Sequence, residues 1–383
     1  MTRMIKRIVL IAVLMLICSL FTGTVVNASD GSEQPDELSR IARSINDKLN
    51  ENTDDETRKI LGDFKIDVSS SDGVSSLSFG SIISSLISIF FGNLSSPASM
   101  LGKLIAAAVL CTLAQSISDA GSGINEVFRI LGTLAVILTI YDCIKDSIDI
   151  TLNCLNELNV FMISYIPIYS GIISASGGAG ASVSYYGGDL FLCECAAFAA
   201  KSIIAPLVSV LLAASIVGAV NPDVKLGNIA AAVKKAIQWM LGMLMTVFTG
   251  LLTIQNAVGA SADSIKSKAV RFAASSFIPI IGSSVSETYS ALKGSLGMIR
   301  TGTGAVGVII IAAIVLRPII ILLTVRAVLA LGKVFCEILG QNEMADLAGS
   351  INSILAIGMS LLICFSMMFI ISTCIIMMTA ARI

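Results

Sequence analysis

Successive hydrophobic stretches of about twenty residues fill the chain from Ala98 to Met378. The hydrocarbon core of a bilayer is about 30 Å thick, and a helix of about 20 residues crosses it. Because hydrocarbon offers no water to backbone amides, such stretches must form helices that satisfy their own hydrogen bonds. The pattern therefore predicts an all-α fold, a polytopic transmembrane helix bundle. We predict about seven or eight spans, at residues 98–118, 127–147, 158–176, 196–220, 236–258, 270–290, 303–331 and 351–379.

Composition excludes several classes of function. Only 13% of the residues are charged and the net charge is -1, so the chain offers no basic surface for nucleic acid. It contains no histidine, the commonest general base and metal ligand. Cys193 and Cys195 are the only close pair of cysteines, and a zinc site needs further ligands. Since the sequence also lacks a nucleophile elbow and a Walker motif, we expect no enzyme, no cofactor and no metal site.

The first 28 residues have the layout of a secretory signal. Three basic residues precede the apolar run 8–20, and Val26-Asn27-Ala28 provides small residues before a polar stretch. We interpret residues 1–28 as a cleaved signal peptide. The alternative is a retained first anchor, because the apolar run is long enough to span. In both cases the residues that follow are delivered to the extracytoplasmic side.

Residues 29–78 form a short polar region, and residues 79–92 form an amphipathic segment after it. Region 29–78 is too small to bury a sufficient core alone, so we expect a helical extracytoplasmic region that leans on a partner or forms a loose helical pair. In segment 79–92, apolar residues at helical spacing alternate with serines. This pattern predicts an interfacial helix in the headgroup plane or, equally, a helix packed on the membrane core that begins at residue 98.

Two pairs of prolines indicate an internal duplication. Ser164-Tyr165-Ile166-Pro167-Ile168 is echoed by Ser276-Phe277-Ile278-Pro279-Ile280, and Pro206 is matched by Pro318. Both proline pairs are 112 positions apart. We therefore predict two repeat units, at about 127–220 and 236–331, each with three segments of which one is broken by proline.

A second unit of three spans would be inverted relative to the first, as in many transporters whose working site lies where broken helices meet. Proline removes a backbone donor and frees a carbonyl, and glycine lets backbones bend or approach. Pro206 and Pro318 are predicted to be structural kinks. The alternative is that all four prolines only help helices to pack. The candidates for the translocation path are Pro167, Gly177, Gly178, Pro279, Gly282 and Arg317.

Arg317 is included because it lies in the middle of an apolar stretch. A cation at bilayer depth costs about 2.5–3.5 kcal/mol, so it needs an acid, carbonyls or water. Asp142 and the carbonyls freed by proline are the candidate partners, and a functional and a structural role are both open. Acids within the predicted spans are almost confined to Asp142 and its neighbours, and Asp189 falls in a predicted connection.

Residues 94–104 and 271–282, together with the order of the segments, resemble the stage III sporulation protein AE family. The resemblance covers most of the chain and implies a multi-pass protein of the mother-cell membrane that surrounds the forespore. It implies as partners the other proteins of the stage III sporulation A operon, including a secretion-type ATPase and ring-forming proteins, and a forespore channel protein. It carries no functional residues over to this chain.

We therefore expect a permease-like or channel-forming membrane subunit that is needed for forespore development. The alternative is a non-conducting membrane scaffold that anchors the ring proteins and the ATPase. An intramembrane enzyme is a distant third hypothesis.

Overall fold

A computed structural model describes Gly92 and residues 95–117, 122–220, 227–277 and 282–380. The predicted signal peptide, region 29–78 and the amphipathic segment up to residue 91 lie outside these residues. Within the described ranges every residue is helical except in two turns, Ser176–Gly178 and Leu339–Gln341. The all-α fold class is thereby confirmed.

The described part of the chain contains seven α-helices and one π-helix. The π-helix Ala199–Ile204 continues α3 directly into α4. The α-helices are α1 Ser95–Ile117, α2 Ser122–Ala175, α3 Ala179–Phe198, α4 Ala205–Val220, α5 Gly227–Phe277, α6 Gly282–Ile338 and α7 Asn342–Ala380.

Six helical stretches among the described residues are long and apolar enough to cross a membrane, with α3 and α4 counted together. This finding fits the predicted membrane bundle. The stretches are Pro97–Ser116, Ile130–Ala175, Ala179–Ala219, Asn228–Gly259, Ile299–Ile338 and Asn342–Met377.

Segment boundaries differ from the prediction most clearly in α2, which contains both predicted spans 127–147 and 158–176 in one helix of 54 residues. The helix is about 80 Å long at 1.5 Å per residue, more than twice the thickness of the hydrocarbon core. Polar residues lower the hydropathy between the two predicted spans, but there is neither glycine nor proline from Thr133 to Ile166 to end the helix.

Glycine ends two of the helices in the same way. Gly177 has φ 87° after α2, and Gly340 has φ 77° after α6. The Gly178 amide donates to the Ile173 carbonyl (3.0 Å) and the Gly177 amide to the Ser174 carbonyl (3.0 Å), the pair of bonds of a Schellman cap. The glycine-rich sequence after Pro167 is therefore a tight turn that folds α3 back along α2.

The direction of α5 bears on the predicted inversion. A Cβ on Gly259 would meet Ala181, and one on Gly188 would meet Gln255, so α3 and α5 run antiparallel. Since α2 and α3 form a hairpin, α2 and α5 point the same way. Each predicted unit consists of two long helices in the described residues rather than three segments. These helices do not show the inverted arrangement, because an even number of helices returns the chain to the side from which it started.

Helices α2 and α6 approach each other closely in the bundle interior. A Cβ built on Gly307 would lie 2.5 Å from Tyr165 Cζ, and one on Gly304 would lie 2.7 Å from Tyr169 Oη. Small residues at such positions let helices approach, which is how membrane helices associate in the absence of a hydrophobic driving force. These two glycines therefore make room for the tyrosine rings of α2.

Replacing Gly307 with alanine should destabilise the protein by about 1–3 kcal/mol, because the added methyl group overlaps the Tyr165 ring. Gly302→Ala is the matched control on the same helix, since a Cβ there meets nothing within 4 Å. The control should be neutral or stabilising, because alanine exceeds glycine in helix propensity by up to about 1 kcal/mol. The measurement is the midpoint of thermal unfolding in detergent, followed by near-UV circular dichroism. Equal midpoints for the two variants would contradict the packing assignment.

Candidate functional site

A cluster of polar side chains lies in the interior where α2, α3, α6 and α7 meet. Each of its members is buried, with at most 5% of its surface exposed to solvent. Ionisable side chains inside membrane bundles are rare and expensive, and they mark substrate paths, proton relays or counter-ions. The members of this interior polar cluster are Tyr165, Tyr169, Tyr185, Asp189, Arg300, Thr303 and Ser372.

The α2 side of the cluster is an aromatic ladder at four-residue steps. The ring centroids of Phe161 and Tyr165 are 5.4 Å apart, and those of Tyr165 and Tyr169 are 5.2 Å apart. Both pairs are stacked, and Tyr185 of α3 meets Tyr169 edge-on at 5.5 Å. The Tyr165 hydroxyl donates to the Thr303 carbonyl of α6 at 3.3 Å. The ladder therefore joins α2 to both neighbouring helices.

Asp189 is the acidic group of the cluster and is 2% exposed. The Ser372 hydroxyl of α7 donates a short hydrogen bond to its Oδ2. Within the described residues, neither Asp189 Oδ1 nor the Tyr185 hydroxyl has a hydrogen-bond partner. A buried polar atom without a hydrogen bond costs about 1–3 kcal/mol. Two such atoms, four residues apart on α3, form a place where water or a polar solute would be stabilised.

Arg300 of α6 supplies the positive charge and is 3% exposed. Its Nη2 donates to the Ile376 carbonyl of α7 at 2.6 Å. Ile376 is one helical turn beyond Ser372, so the acid and the arginine are attached to α7 at adjacent levels. A guanidinium bound to a carbonyl dipole is one of the arrangements that membrane interiors tolerate.

The predicted path residues are not brought together by the described helices. Pro167 lies on the exposed face of α2, whereas Gly177 and Gly178 form the turn. Cys154 Sγ lies 3.7 Å from the Ile314 carbonyl, so Arg317, which is half-buried, sits near the level of Cys154 on α2. That level is about 20 Å from Pro167 along the helix. Gly282 begins α6, and Pro279 lies outside the described residues.

The two predicted kink residues occupy different settings. Pro206 follows the π-helix, and Pro318 lies inside α6. The ring of Pro206 would clash with the carbonyl four residues earlier, that of Ser202, in a regular helix. The wider turn of the π-helix just before it relieves that clash. Pro206 therefore has a structural consequence, although helix α6 continues through Pro318.

Sequence reasoning missed Asp189 and Arg300. Asp189 follows Gly187-Gly188, and the glycines made the stretch resemble a connection, whereas it lies in the middle of α3. The available signal was the spacing of Tyr185, Asp189 and Cys193, all buried at four-residue steps. In the described ranges no group of three or more Cys, Asp or Glu side chains is placed to hold a metal ion.

Comparison with known proteins assigns the family. A family model described as stage III sporulation protein AE matches residues 63–380. The chain belongs to this family. The resemblance seen in the sequence is thereby confirmed, and the match extends over all the described helices.

A curated member of the family is similar to this chain at low identity. Stage III sporulation protein AE of Bacillus subtilis (strain 168) is 22% identical over 296 residues, which is 77% of this chain and 74% of that protein. No solved structure matches the chain. The six apolar helical stretches found among the described residues, in a chain of a sporulation family, fit a membrane protein with a role in sporulation.

The contact between Ser372 and Asp189 can be tested with a double-mutant cycle. Ser372→Ala should destabilise the protein by about 1–3 kcal/mol, because a buried carboxyl oxygen loses its donor. In Asp189→Asn the same change should cost less, with a coupling of about 0.5–3 kcal/mol. Thr324→Val is the control, since the buried Thr324 hydroxyl donates to the Ile320 carbonyl of its own helix. Unfolding in detergent provides the energies, and strict additivity of the Ser372 and Asp189 changes would refute the contact.

Proposed function

We propose that the chain is a permease-like, channel-forming membrane subunit of the stage III sporulation apparatus that links mother cell and forespore. The observation that carries this proposal is the interior polar cluster with Asp189 and Arg300 at its centre. Buried acids and arginines are rare and costly inside membrane bundles, where they mark substrate paths, proton relays or counter-ions. Their burial here supports a route for polar solutes.

The path would run between α2, α3, α6 and α7 at the level of Asp189. Its lining there consists of hydroxyls, a carboxyl group and a guanidinium, which can replace the hydration shell of a small polar solute. The tyrosine ladder fills the interior against Gly304 and Gly307, so this arrangement would be the closed state of such a path. Opening would require the rings of Tyr165 and Tyr169 to move away from α6.

Other proteins of the apparatus would supply the energy for transport. The sequence has no Walker motif, so energy for transport would come from a secretion-type ATPase or a gradient. The family resemblance suggests that ATPase, ring-forming proteins and a forespore channel protein as neighbours. Residues 1–28 would deliver the following region to the space between the two membranes.

A scaffold function is the second candidate, and one observation favours it. The middle of α2 presents a row of exposed polar side chains at three- and four-residue steps, a surface suited to binding another protein. A scaffold would tolerate changes in the interior but not on this row. The row consists of Asp142, Lys145, Asp146, Asp149, Asn153 and Asn156.

Spore yield separates the two candidates. Asp189→Asn should lower the yield of heat-resistant spores by roughly tenfold or more, an effect that requires only about 1.4 kcal/mol at a limiting step. The protein should still be present in the membrane at the normal level, as immunoblotting would show. Asp346→Asn, an exposed acid on α7, is the control. A normal spore yield for Asp189→Asn, together with loss of sporulation for Asp146→Asn, would favour the scaffold function and contradict the channel function.

Cysteine scanning tests whether the predicted path residues line a wet route. Single cysteines across 163–178 and 278–285 would be probed in membranes with a water-soluble thiol reagent. Because Pro167 faces outward, we expect labelling at that position only if the route runs between copies of the chain. Labelling at positions 165, 169, 185 and 372, with protection at the other positions of both windows, would place the route at the interior polar cluster. Protection at all these positions would contradict a channel.

A further inference from the structure

A cleft of about 280 Å³ opens between α2, the π-helix and α7. Most of its lining is apolar and includes Leu155, Ala200, Phe365 and Phe369. Two polar residues, Asn159 and Lys201, complete it. The cleft is separate from the interior polar cluster and contains none of its residues.

Lys201 gives the mouth of the cleft a positive charge. Its side chain is exposed, and its Nζ donates to Asn156 Oδ1 at 3.2 Å. Asn159 accepts a hydrogen bond from the Cys193 thiol through Oδ1 at 2.9 Å, and its amide nitrogen remains as a donor. One cation and a donating amide beside an apolar hollow would suit a molecule with an anionic head and a hydrocarbon tail.

The position of Lys201 along its helix fits the depth of a lipid headgroup. The apolar stretch Ala179–Ala219 has 41 residues, and Lys201 lies near its middle. Ala179 is about 33 Å away along the helix and Ala219 about 27 Å away, at 1.5 Å per residue. If either half of the stretch lies in the bilayer, whose hydrocarbon core is about 30 Å thick, Lys201 lies at the edge of that core.

The surface around the cleft is one that acyl chains would cover. Phe198 is 64% exposed, Val160 is 48% exposed and Ile203 is 39% exposed. The π-helix carries Lys201 at the boundary, and such irregular turns are frequent at functional sites. Basic pockets between membrane helices bind the headgroups of anionic lipids.

We propose that this cleft binds one anionic phospholipid, with its phosphate on Lys201 and part of one acyl chain against Leu155, Phe365 and Phe369. The volume is just below the range of about 300–1,000 Å³ that holds a drug-sized ligand, so the cleft takes the start of a chain and not a whole lipid. This assignment does not depend on the proposed channel function.

The test is native mass spectrometry of the full chain in detergent with added phosphatidylglycerol or phosphatidylcholine of identical acyl chains. The wild type should retain phosphatidylglycerol in preference to phosphatidylcholine. Lys201→Gln should reduce that retention about tenfold, because a charge-assisted contact is lost. Lys201→Arg should keep it. Lys103→Gln is the matched control, an exposed lysine on the apolar helix α1.

A cleft-filling change provides a second, independent readout. Ala197→Phe keeps Lys201 but occupies the lining, so it should lower retention of phosphatidylglycerol while leaving elution in size exclusion unchanged. Equal retention by wild type and Lys201→Gln would overturn the proposal. Displacement of the lipid by glycerol phosphate regardless of acyl length would assign the cleft to a soluble phosphate instead. Loss of a co-purifying sporulation protein from Lys201→Gln, with lipid retention intact, would assign it to a protein partner.

Discussion

The close approach of α2 to α6 is the contact on which the interior depends. Gly304 and Gly307 leave no side chain in front of Tyr165 and Tyr169, so two large rings lie where smaller residues would usually meet. With the rings in place, the Tyr165 hydroxyl reaches the Thr303 carbonyl, and Tyr169 meets Tyr185 of α3. One glycine-lined surface thus fixes the distances between three helices.

The interior polar cluster follows from that geometry because the rings bring hydroxyls, not only hydrocarbon, into the bundle. Asp189 binds Ser372, and Arg300 binds the Ile376 carbonyl, so α7 is tied to both α3 and α6 by polar contacts. In hydrocarbon these contacts have no water to compete with, although measured hydrogen bonds between membrane helices average only about 0.6 kcal/mol. These hydrogen bonds therefore matter less for the free energy of unfolding than for specifying which helix faces pack against each other.

The sequence predicted the fold class and the family because long apolar stretches allow few structures and because the resemblance covers most of the chain. It did not predict the helix boundaries. Hydropathy divided α2 near Asp149, but a helix ends where backbone conformation changes, as at Gly177, and not where polarity rises. It also missed Asp189, since Gly187 and Gly188 suggested a connection whereas packing against α5 kept the segment helical. Pro167 was predicted to line the path because proline frees a backbone carbonyl within a helix, yet its ring faces outward. Hydrophobic periodicity does not distinguish an exposed proline from one that lines a route.

The length of α2 has a consequence for how this protein exists outside its assembly. One bilayer covers about half of the 46-residue stretch Ile130–Ala175, and both halves carry exposed hydrophobic side chains such as Leu138 and Ile163. The half beyond the lipid would meet water unless another protein shields it. The fraction of soluble, natively packed subunit then depends by mass action on the concentration of that partner protein. Without the partner, the subunit would be degraded by quality-control proteases.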